Sequence, residues 1–349
     1  MRGTVISQPK LMNLLFILLF AVSSGFAEDL PDPKVHNLVK NGLRSLVNGD
    51  YDDALANFQK LDRDFKYLPL GKIYLASYEI AIATDYALPY NDKKIQNLLY
   101  LAEAQCQELL KKDNNKWNRY YLALTEGYNT LYAGLTNDWF NLIYEGIESI
   151  SDYKEILKMD PDFSEAYVAI GSFKYWSSEN MRYFTWLPFF EDERELGLKY
   201  LNKSKTDYSY HDYIALDVLF WIMVGKQEFN KARSIAEESL SRYPGSRLFR
   251  SNLARAYEAI DKKKAIETYQ QVLNSFEPQR VKNRYNEILI KSKMAALYLA
   301  MGDSISAYEI TKYLLGLKNL TGHELKMLDG RMDKVRKTHE AAKAALGKK

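Results

Sequence analysis

Cysteine and histidine are scarce in this chain of 349 residues, and their scarcity excludes several kinds of site. Cys106 has no second cysteine for an internal disulfide, so we expect it to be a small buried hydrophobe in a helix. The histidines, His36, His211, His323 and His339, lie far apart in the sequence, and none has a neighbour at metal-ligand spacing. A glycine-rich phosphate loop and a nucleophile elbow are also absent. The sequence therefore predicts no catalytic residue, no metal and no cofactor.

An excess of charge of one sign is lacking too. The chain has 48 Lys and Arg against 45 Asp and Glu, which gives a formal net charge of +3. A domain that binds nucleic acid usually carries a clearly basic face. The balanced charge therefore argues against nucleic acid as a partner.

Sustained alternation of apolar and polar residues, the pattern of a β-strand, is found nowhere in the chain. After Pro33, apolar residues instead recur three and four positions apart, and short breaks rich in Asn, Asp, Gly and Pro separate the periodic stretches. The pattern predicts an all-α protein of about fifteen helices, in which sequence neighbours run antiparallel. A run of aromatic residues at helical spacing, from Tyr120 to Tyr132, is expected to pack between helices.

A long apolar run occurs once, near the N-terminus. Arg2 and Lys10 precede an apolar core at 11–22, and Gly25 and Ala27 supply the small residues of a cleavage site. The order of these features predicts a signal peptide over the first 27 residues and export to the periplasm or beyond the cell of a bacterium. An uncleaved anchor is the alternative, although the run is short for a membrane span, which needs about 20 residues. No later segment is apolar for long enough to span a membrane.

Between Leu216 and Ala307 the chain repeats itself at a spacing of about 34 residues, and a similar unit lies far upstream. Each unit opens on apolar residues, carries an alanine about twelve residues after a small residue, and often closes on a proline. The pairs of small residues are Gly42 with Ala54, Ala254 with Ala265, and Ala295 with Ala307. The second pair is one residue closer together than the others.

These residues resemble the tetratricopeptide repeat, a family of helix-turn-helix hairpins. The resemblance implies that the small residue of the first helix packs against the alanine of the second, and that the hairpins stack into a single α-solenoid over 28–349. It also implies a scaffold that binds a protein or peptide rather than an enzyme. The recognisable repeats cover about 35–68, 130–177 and 213–318, with an aromatic-rich insertion at 178–191 and a C-terminal capping helix at 322–345.

The insertion is the least regular part of the sequence. Residues 172–191 contain eight aromatic side chains, and the stretch 183–201 is similar to a eukaryotic tetratricopeptide family linked to inclusion-body clearance. An exposed loop has no reason to hold so many rings. We expect them to pack on neighbouring helices, and a partner site or contact with a membrane surface remain the alternatives.

The family resemblance also suggests where a partner binds. In tetratricopeptide proteins the first helix of each hairpin lines the groove. At matching positions, the inner face consists of Tyr175, Asp217, Trp221, Ser251, Arg255, Glu258 and Ser292. Of these, Tyr175, Asp217, Trp221, Arg255 and Glu258 are our candidate partner-binding residues, together with Trp176 and Trp186 of the aromatic-rich segment. The leading hypothesis is an exported, non-enzymatic scaffold for a protein or peptide partner in the cell envelope.

The alternative hypothesis is a receptor for a small molecule or glycan. Outer-membrane glycan-binding proteins built on tetratricopeptide helices stack sugars on aromatic rings, and Trp176, Tyr183 and Trp186 could form such a platform. Those proteins are generally longer and carry a lipid anchor on a cysteine. This chain has no cysteine after the apolar core that could carry such an anchor.

We expect the first 27 residues to be removed on export, because the basic start, the apolar core and the small-residue site occur in the order that signal peptidases read. Mass spectrometry of the protein purified from the cell envelope should show a chain that begins at Glu28. Recovery of an intact chain beginning at Met1 from the membrane fraction would contradict this prediction.

Overall fold

The computed structural model describes residues 30–163, 165–181, 191–206, 210–276 and 284–347. All regular structure in these segments is α-helical, so the prediction of an all-α fold is confirmed. Within the same segments, no helix combines the length and the apolar character needed to cross a bilayer. The predicted signal peptide lies outside the described residues. The sixteen described helices are α1 Pro33–Asn48, α2 Tyr51–Asp64, α3 Leu70–Asp85, α4 Asp92–Lys112, α5 Lys116–Leu135, α6 Trp139–Met159, α7 Glu165–Asn180, α8 Arg194–Thr206, α9 Asp212–Gly225, α10 Phe229–Arg242, α11 Arg247–Ile260, α12 Lys262–Asn274, α13 Arg284–Ala300, α14 Ser304–Leu315, α15 Gly322–Met327 and α16 Arg331–Leu346.

The chain divides into two compact units. Unit 1 extends to Ile80 and resumes over Asn91–Ile222, whereas unit 2 consists of Ala81–Tyr90 and Met223–Lys349. Two of the three boundaries fall inside α3 and α9, and the third lies between α3 and α4. The single solenoid expected over 28–349 stays a prediction.

One type of turn recurs between the two helices of a hairpin. A residue in the left-handed conformation is followed by an acid, and the acid's backbone N–H donates to the carbonyl five residues earlier, which satisfies the end of the first helix. The left-handed residues are Gly49 (φ 81°), Asn137 (φ 61°), Gln227 (φ 59°) and Gly302 (φ 84°). The hydrogen bonds run from Asp50 to Ser45 (2.9 Å), Asp138 to Ala133 (2.7 Å), Glu228 to Met223 (2.9 Å) and Asp303 to Tyr298 (3.0 Å). In the hairpins α1–α2, α5–α6 and α13–α14 the two helices that this turn joins pack against each other, and these hairpins are tetratricopeptide-like.

The turn between α11 and α12 is shorter, which explains the contracted spacing of Ala254 and Ala265. Asp261 alone joins the two helices in an extended conformation, with φ −153° and ψ 96°. Its side chain then caps α12 by accepting from the backbone N–H groups of Lys263 and Lys264. Ala254 and Ala265 are fully buried in one apolar cluster with Tyr269 and Met294. The close contact predicted for this pair therefore survives the loss of one residue from the turn.

The first hairpin departs in one contact from the expected pattern. Gly42 of α1 and Ala54 of α2 are both buried, but the group nearest to Gly42 is the ring of Phe58. A Cβ atom added to Gly42 would lie 2.3 Å from Phe58 Cε1. The ring one turn further along α2 fills the space that the glycine leaves, and the expected pairing of Gly42 with Ala54 stays a prediction.

Two glycines that the repeat pattern did not pair bring α7 and α8 together in unit 1. A Cβ on Gly197 would lie 2.6 Å from the carbonyl oxygen of Gly171 and 2.8 Å from the backbone nitrogen of Tyr175. A Cβ on Gly171 would in turn lie 3.0 Å from the carbonyl oxygen of Gly197. The backbones thus touch at a point where no side chain fits.

The aromatic run of α5 lies in the core of unit 1, as predicted. Tyr120, Tyr121, Tyr128 and Tyr132 are all less than 10% exposed. Cys106 is also buried, and its burial raises the pKa of the thiol to about 12, so it is a neutral hydrophobe as expected.

The C-terminal capping helix expected at 322–345 is two helices. Gly330, with φ 67°, separates the short α15 from α16. Leu325 is 54% exposed, whereas Leu328 and Val335 are buried together against Leu314. Helix α16 presents a largely charged outer surface, which is what an end cap of a repeat array requires.

We predict that Gly197→Ala destabilises unit 1. The added methyl group would meet backbone atoms of α7, which cannot move aside as a side-chain tip can, and such overpacking costs about 1–3 kcal/mol of unfolding free energy. Urea unfolding of the two proteins measures the difference. Gly322→Ala is the matched control, because a Cβ at Gly322 has no atom within 4 Å. Equal loss of stability in both variants would contradict the close packing of α7 on α8.

Candidate functional site

The candidate residues of unit 1 are mostly covered by the fold. Tyr175 is 4% exposed and Asp217 is 3% exposed, so neither offers a surface to a partner. Trp176 and Trp221 are half-buried, and each contacts its preceding aromatic neighbour edge-on, with ring centroids 5.3 Å apart. Helices α7 and α9 are buried around most of their circumference, which the one-sided face assumed for a groove helix did not anticipate. Tyr183 and Trp186 lie outside the described residues.

In unit 2 the structure joins two of the candidates and adds two more side chains. Arg255 Nη1 lies 2.5 Å from Glu258 Oε2, one turn further along α11. Lys293 of α13 approaches the same carboxylate, with Nζ 3.2 Å from Glu258 Oε1 and 2.9 Å from the Tyr269 hydroxyl. Tyr269 of α12 donates a short hydrogen bond to Glu258 Oε1. We call these four side chains the Glu258 cluster.

The Glu258 cluster is rich in positive charge. Arg255 and Lys293 each contact Glu258, and Arg331 of α16 is near enough to lower the pKa of Lys293. Two cations, Arg255 and Lys293, therefore share one carboxylate. Burial is the main cause of the lowered pKa of Lys293, and Glu258 opposes that shift.

Two opposing effects act on the pKa of Glu258, the carboxylate at the centre of the cluster. Burial alone would raise the pKa of Glu258, but Lys293, the Tyr269 hydroxyl and Arg255 together hold it below the ordinary value. Glu258 is therefore ionised at neutral pH. The Arg255 and Lys293 side chains keep 35% and 31% of their surface exposed, so the cluster can still reach a ligand.

Sequence reasoning found Arg255 and Glu258 but missed Lys293 and Tyr269. It selected Ser292, the neighbour of Lys293, whose hydroxyl bonds the carbonyl of Leu289 in its own helix at 2.8 Å. A shift of one residue along a helix turns a side chain by about 100°, enough to exchange one face for the next. The spacing of Glu258 and Lys293, 35 residues, was a usable signal because it nearly equals the repeat length.

A second polar group lies inside unit 1, away from any surface. Glu165 and His211 are both buried, with Nδ1 of the imidazole 4.0 Å from Oε2 of the carboxyl. Burial lowers the pKa of His211 to about 3 and raises the pKa of Glu165 well above its usual range. His211 is therefore neutral at pH 7, and the contact is not an ion pair. The ring of Tyr74 stacks on His211, with centroids 6.0 Å apart.

In the described part of the chain, no group of three or more His, Cys, Asp or Glu side chains is placed to hold a metal ion.

Comparison with known proteins adds information on the fold. No protein-family model matches the chain, and no curated protein is similar to it in sequence. A tetratricopeptide repeat protein from Parabacteroides merdae is similar at 12% identity over 89% of this chain and 99% of that chain, with a TM-score of 0.36. The human IFIT1 dimer, solved with m7Gppp-AAAA, is similar at 16% identity over 97% of this chain and 80% of that chain, with a TM-score of 0.43.

Yeast Tom70 is similar at 15% identity over 96% of this chain and 69% of its own, with a TM-score of 0.41. These likenesses are distant and concern the fold alone. The expectation that this chain does not bind nucleic acid stays a prediction.

The buried carboxyl makes stability depend on pH. Because the pKa of Glu165 is raised in the folded state, the folded chain keeps this proton after the unfolded chain has lost it. The stabilisation is complete below the ordinary glutamate pKa of about 4.3 and is lost as pH rises, by roughly 1.4 kcal/mol per pH unit, until the folded pKa is reached. Glu165→Gln, which stays neutral, should remove this slope.

Urea unfolding at several pH values from about 5 to 8, a range above the ordinary glutamate pKa, tests the prediction. The unfolding free energy of Glu165→Gln minus that of the parent chain should increase with pH. Glu340→Gln is the control, because Glu340 is exposed on α16 and its replacement should leave the profile unchanged. Parallel profiles for the parent chain and Glu165→Gln would show that Glu165 ionises normally.

Proposed function

We propose that the protein is a non-enzymatic scaffold that binds a protein or peptide partner, and that the Glu258 cluster holds a carboxylate of that partner. The observation that carries the proposal is the sharing of one carboxylate by two cations, Arg255 and Lys293, on a half-exposed face of the tetratricopeptide-like hairpins. A second carboxylate would balance the excess charge.

The donors needed for such a carboxylate belong to side chains that Glu258 already orients. A guanidinium has five N–H donors, and the contact between Arg255 and Glu258 uses Nη1. An ammonium has three N–H donors. Lys293 uses two of them, one to Glu258 and one to the Tyr269 hydroxyl. Preformed orientation reduces the entropy lost when a ligand binds.

The place of action in this proposal is the cell envelope. The support is the order of the basic, apolar and small residues in the first 27 positions, which is typical of an exported bacterial protein. With a single cysteine the chain has no internal disulfide, so a periplasmic or secreted scaffold of this sequence must be stabilised by packing. The aromatic core of unit 1 supplies such packing.

Affinity capture from envelope extracts, followed by calorimetry on each purified partner, tests the proposal. The double variant Arg255→Gln/Lys293→Gln should weaken binding of a true partner roughly 10- to 100-fold, because hydrogen bonds to charged groups contribute about 1.5–3 kcal/mol. Thermal melting would establish that the variant still folds.

Lys291→Gln is the matched control, since Lys291 lies on the same helix and pairs with Glu287 at 2.7 Å. It should bind partners as the parent chain does. Partners that the double variant retains at full affinity would remove the Glu258 cluster from the proposal. A parent chain that retains no envelope protein or peptide would contradict the scaffold function itself.

A further inference from the structure

Polar contacts fix the register of helices α5 and α6 in unit 1. Arg119 Nη1 of α5 lies 2.6 Å from Asp152 Oδ1 of α6. One turn further along α5, the carbonyl oxygen of Ala123 accepts a hydrogen bond of 2.9 Å from Ser149 of α6. Residue numbers rise along α5 as they fall along α6, so each later residue of α5 lies opposite an earlier residue of α6.

This register places Glu126 of α5 beside acidic residues of α6. Asn129, three residues after Glu126, has its Nδ2 atom 3.5 Å from Glu145 Oε2. Ala123, three residues before Glu126, makes the contact with α6 described above. Glu126 therefore lies between these two contacts, next to Glu145 and Glu148 of α6.

Acidic side chains form a row along this flank of α6. Glu145, Glu148 and Asp152 are spaced by three and four residues, which places them on one side of the helix over about 10 Å of its length. We call these three residues the α6 row. Lys154, two residues after Asp152, lies about 200° further around the helix and so does not neutralise the row.

The carboxyl of Glu126 is buried beside the α6 row without a donor. Glu126 is 8% exposed, and its Oε2 atom is buried with no hydrogen-bond partner among the described residues. Burial is the main cause that raises its pKa to about 9, and Asp152, Glu145, Glu148 and Glu103 of α4 add to the shift. A buried polar atom of this kind normally has a partner, and leaving it unpaired costs free energy.

Other titratable groups near Glu126 do not supply that donor. Burial raises the pKa of Cys106 of α4 and of Tyr153 of α6, and Glu126 adds to both shifts, so both groups are neutral at pH 7. The Tyr153 hydroxyl itself has no hydrogen-bond partner among the described residues. Arg119 is engaged by Asp152. The site thus has carboxyls in excess and calls for a ligand that donates hydrogen bonds and brings positive charge.

The carboxyls are arranged for an extended cation rather than for a metal ion. Across the described segments, no three acidic, histidine or cysteine side chains are placed to hold one metal ion. The α6 row instead extends along the helix, with Glu126 set beside it. A linear alkylammonium suits this arrangement, because its methylene stem can lie along the helices while each ammonium donates up to three hydrogen bonds.

We propose that the flank shared by α5 and α6 binds a linear ligand with two or more alkylammonium groups, one at Glu126 and the others along the α6 row. Free polyamines and the lysine side chains of a protein share this chemistry, and the experiment below distinguishes these sources. The site lies in unit 1, and the inference does not rest on the Glu258 cluster of unit 2.

Binding should be coupled to the release of a proton. With a pKa of about 9, the carboxyl of Glu126 is protonated at pH 7 in the free chain. An ammonium beside it favours the ionised form and lowers its pKa, so the proton leaves when the ligand binds. Affinity should therefore rise with pH from about 6 to 8, by up to about tenfold per pH unit for one proton.

Isothermal titration calorimetry of the full chain with spermidine measures both the affinity and the proton release. The titrations use an ionic strength of about 0.15 M, so that diffuse attraction between distant charges is screened. At pH 7, the heat measured in Hepes should differ from that in Tris for the parent chain, because the two buffers take up the released proton with different enthalpies. For Glu126→Gln, which has no proton to release, the two heats should agree.

A second variant tests the α6 row without touching the buried carboxyl. Glu145→Gln/Glu148→Gln should weaken spermidine binding at least tenfold, because charge-assisted hydrogen bonds to two carboxylates are lost. Thermal melting establishes that each variant folds. If Glu126→Gln fails to fold, this double variant and the pH dependence of the parent chain still decide the proposal.

Glu108→Gln is the matched control, because Glu108 of α4 is exposed and pairs with Lys111 at 2.7 Å. It should bind spermidine and release a proton as the parent chain does. Arg255→Gln/Lys293→Gln should do the same, which separates this site from the Glu258 cluster.

A trilysine peptide, titrated in the same way, identifies the source of the ammonium groups. Tighter binding of spermidine assigns the site to a free polyamine, and tighter binding of trilysine assigns it to lysine side chains of a protein.

Three results would overturn the proposal. The first is a parent chain that binds neither spermidine nor trilysine. The second is unchanged spermidine affinity in both Glu126→Gln and Glu145→Gln/Glu148→Gln. The third is binding of magnesium ion as tight as that of spermidine, which would show attraction to charge alone.

Discussion

The turn between the two helices of a hairpin is the constraint on which the described fold depends. A left-handed residue followed by an acid fixes the point where the second helix begins, as Gly49-Asp50 and Gly302-Asp303 do. Once both ends of the turn are hydrogen-bonded, the two helices cannot slide, so each residue meets the same neighbour across the hairpin. Small residues are then needed wherever the backbones cross, as Gly171 and Gly197 show.

The same constraint brings distant residues together on the surface. Glu258 and Lys293 are 35 residues apart, yet they occupy equivalent faces of α11 and α13 and meet at 3.2 Å. The contact is polar because the face is half-exposed, where paired charges are tolerated. Helix α9, by contrast, is buried around most of its circumference, and Asp217 lies in the interior. Repeat position alone therefore fixes where a side chain points but not whether solvent reaches it.

Local patterns predicted what depends on neighbours in sequence. The helical period predicted the all-α class, and the small residues predicted that Ala254 and Ala265 are buried together. The aromatic run of α5 predicted part of the core. Features that depend on contacts between particular side chains were missed. The ring of Phe58 against Gly42 and the addition of Lys293 to Glu258 follow from side-chain size and rotation about the helix, which a spacing rule does not contain. The exposed apolar side of α6, formed by Phe140, Ile143, Tyr144 and Ile147, was also missed. In sequence, a helix that is apolar on two sides looks like a buried helix.

The Glu258 cluster is a feature that packing does not require. Cations are in excess there, and Lys293 is held where burial lowers its pKa and so opposes its charged form. Features that oppose stability without helping the fold are expected at functional sites. Cations that Glu258 already orients are suited to binding a second carboxylate, because less entropy is lost when the ligand binds, and this is the kind of contact that the proposed scaffold needs.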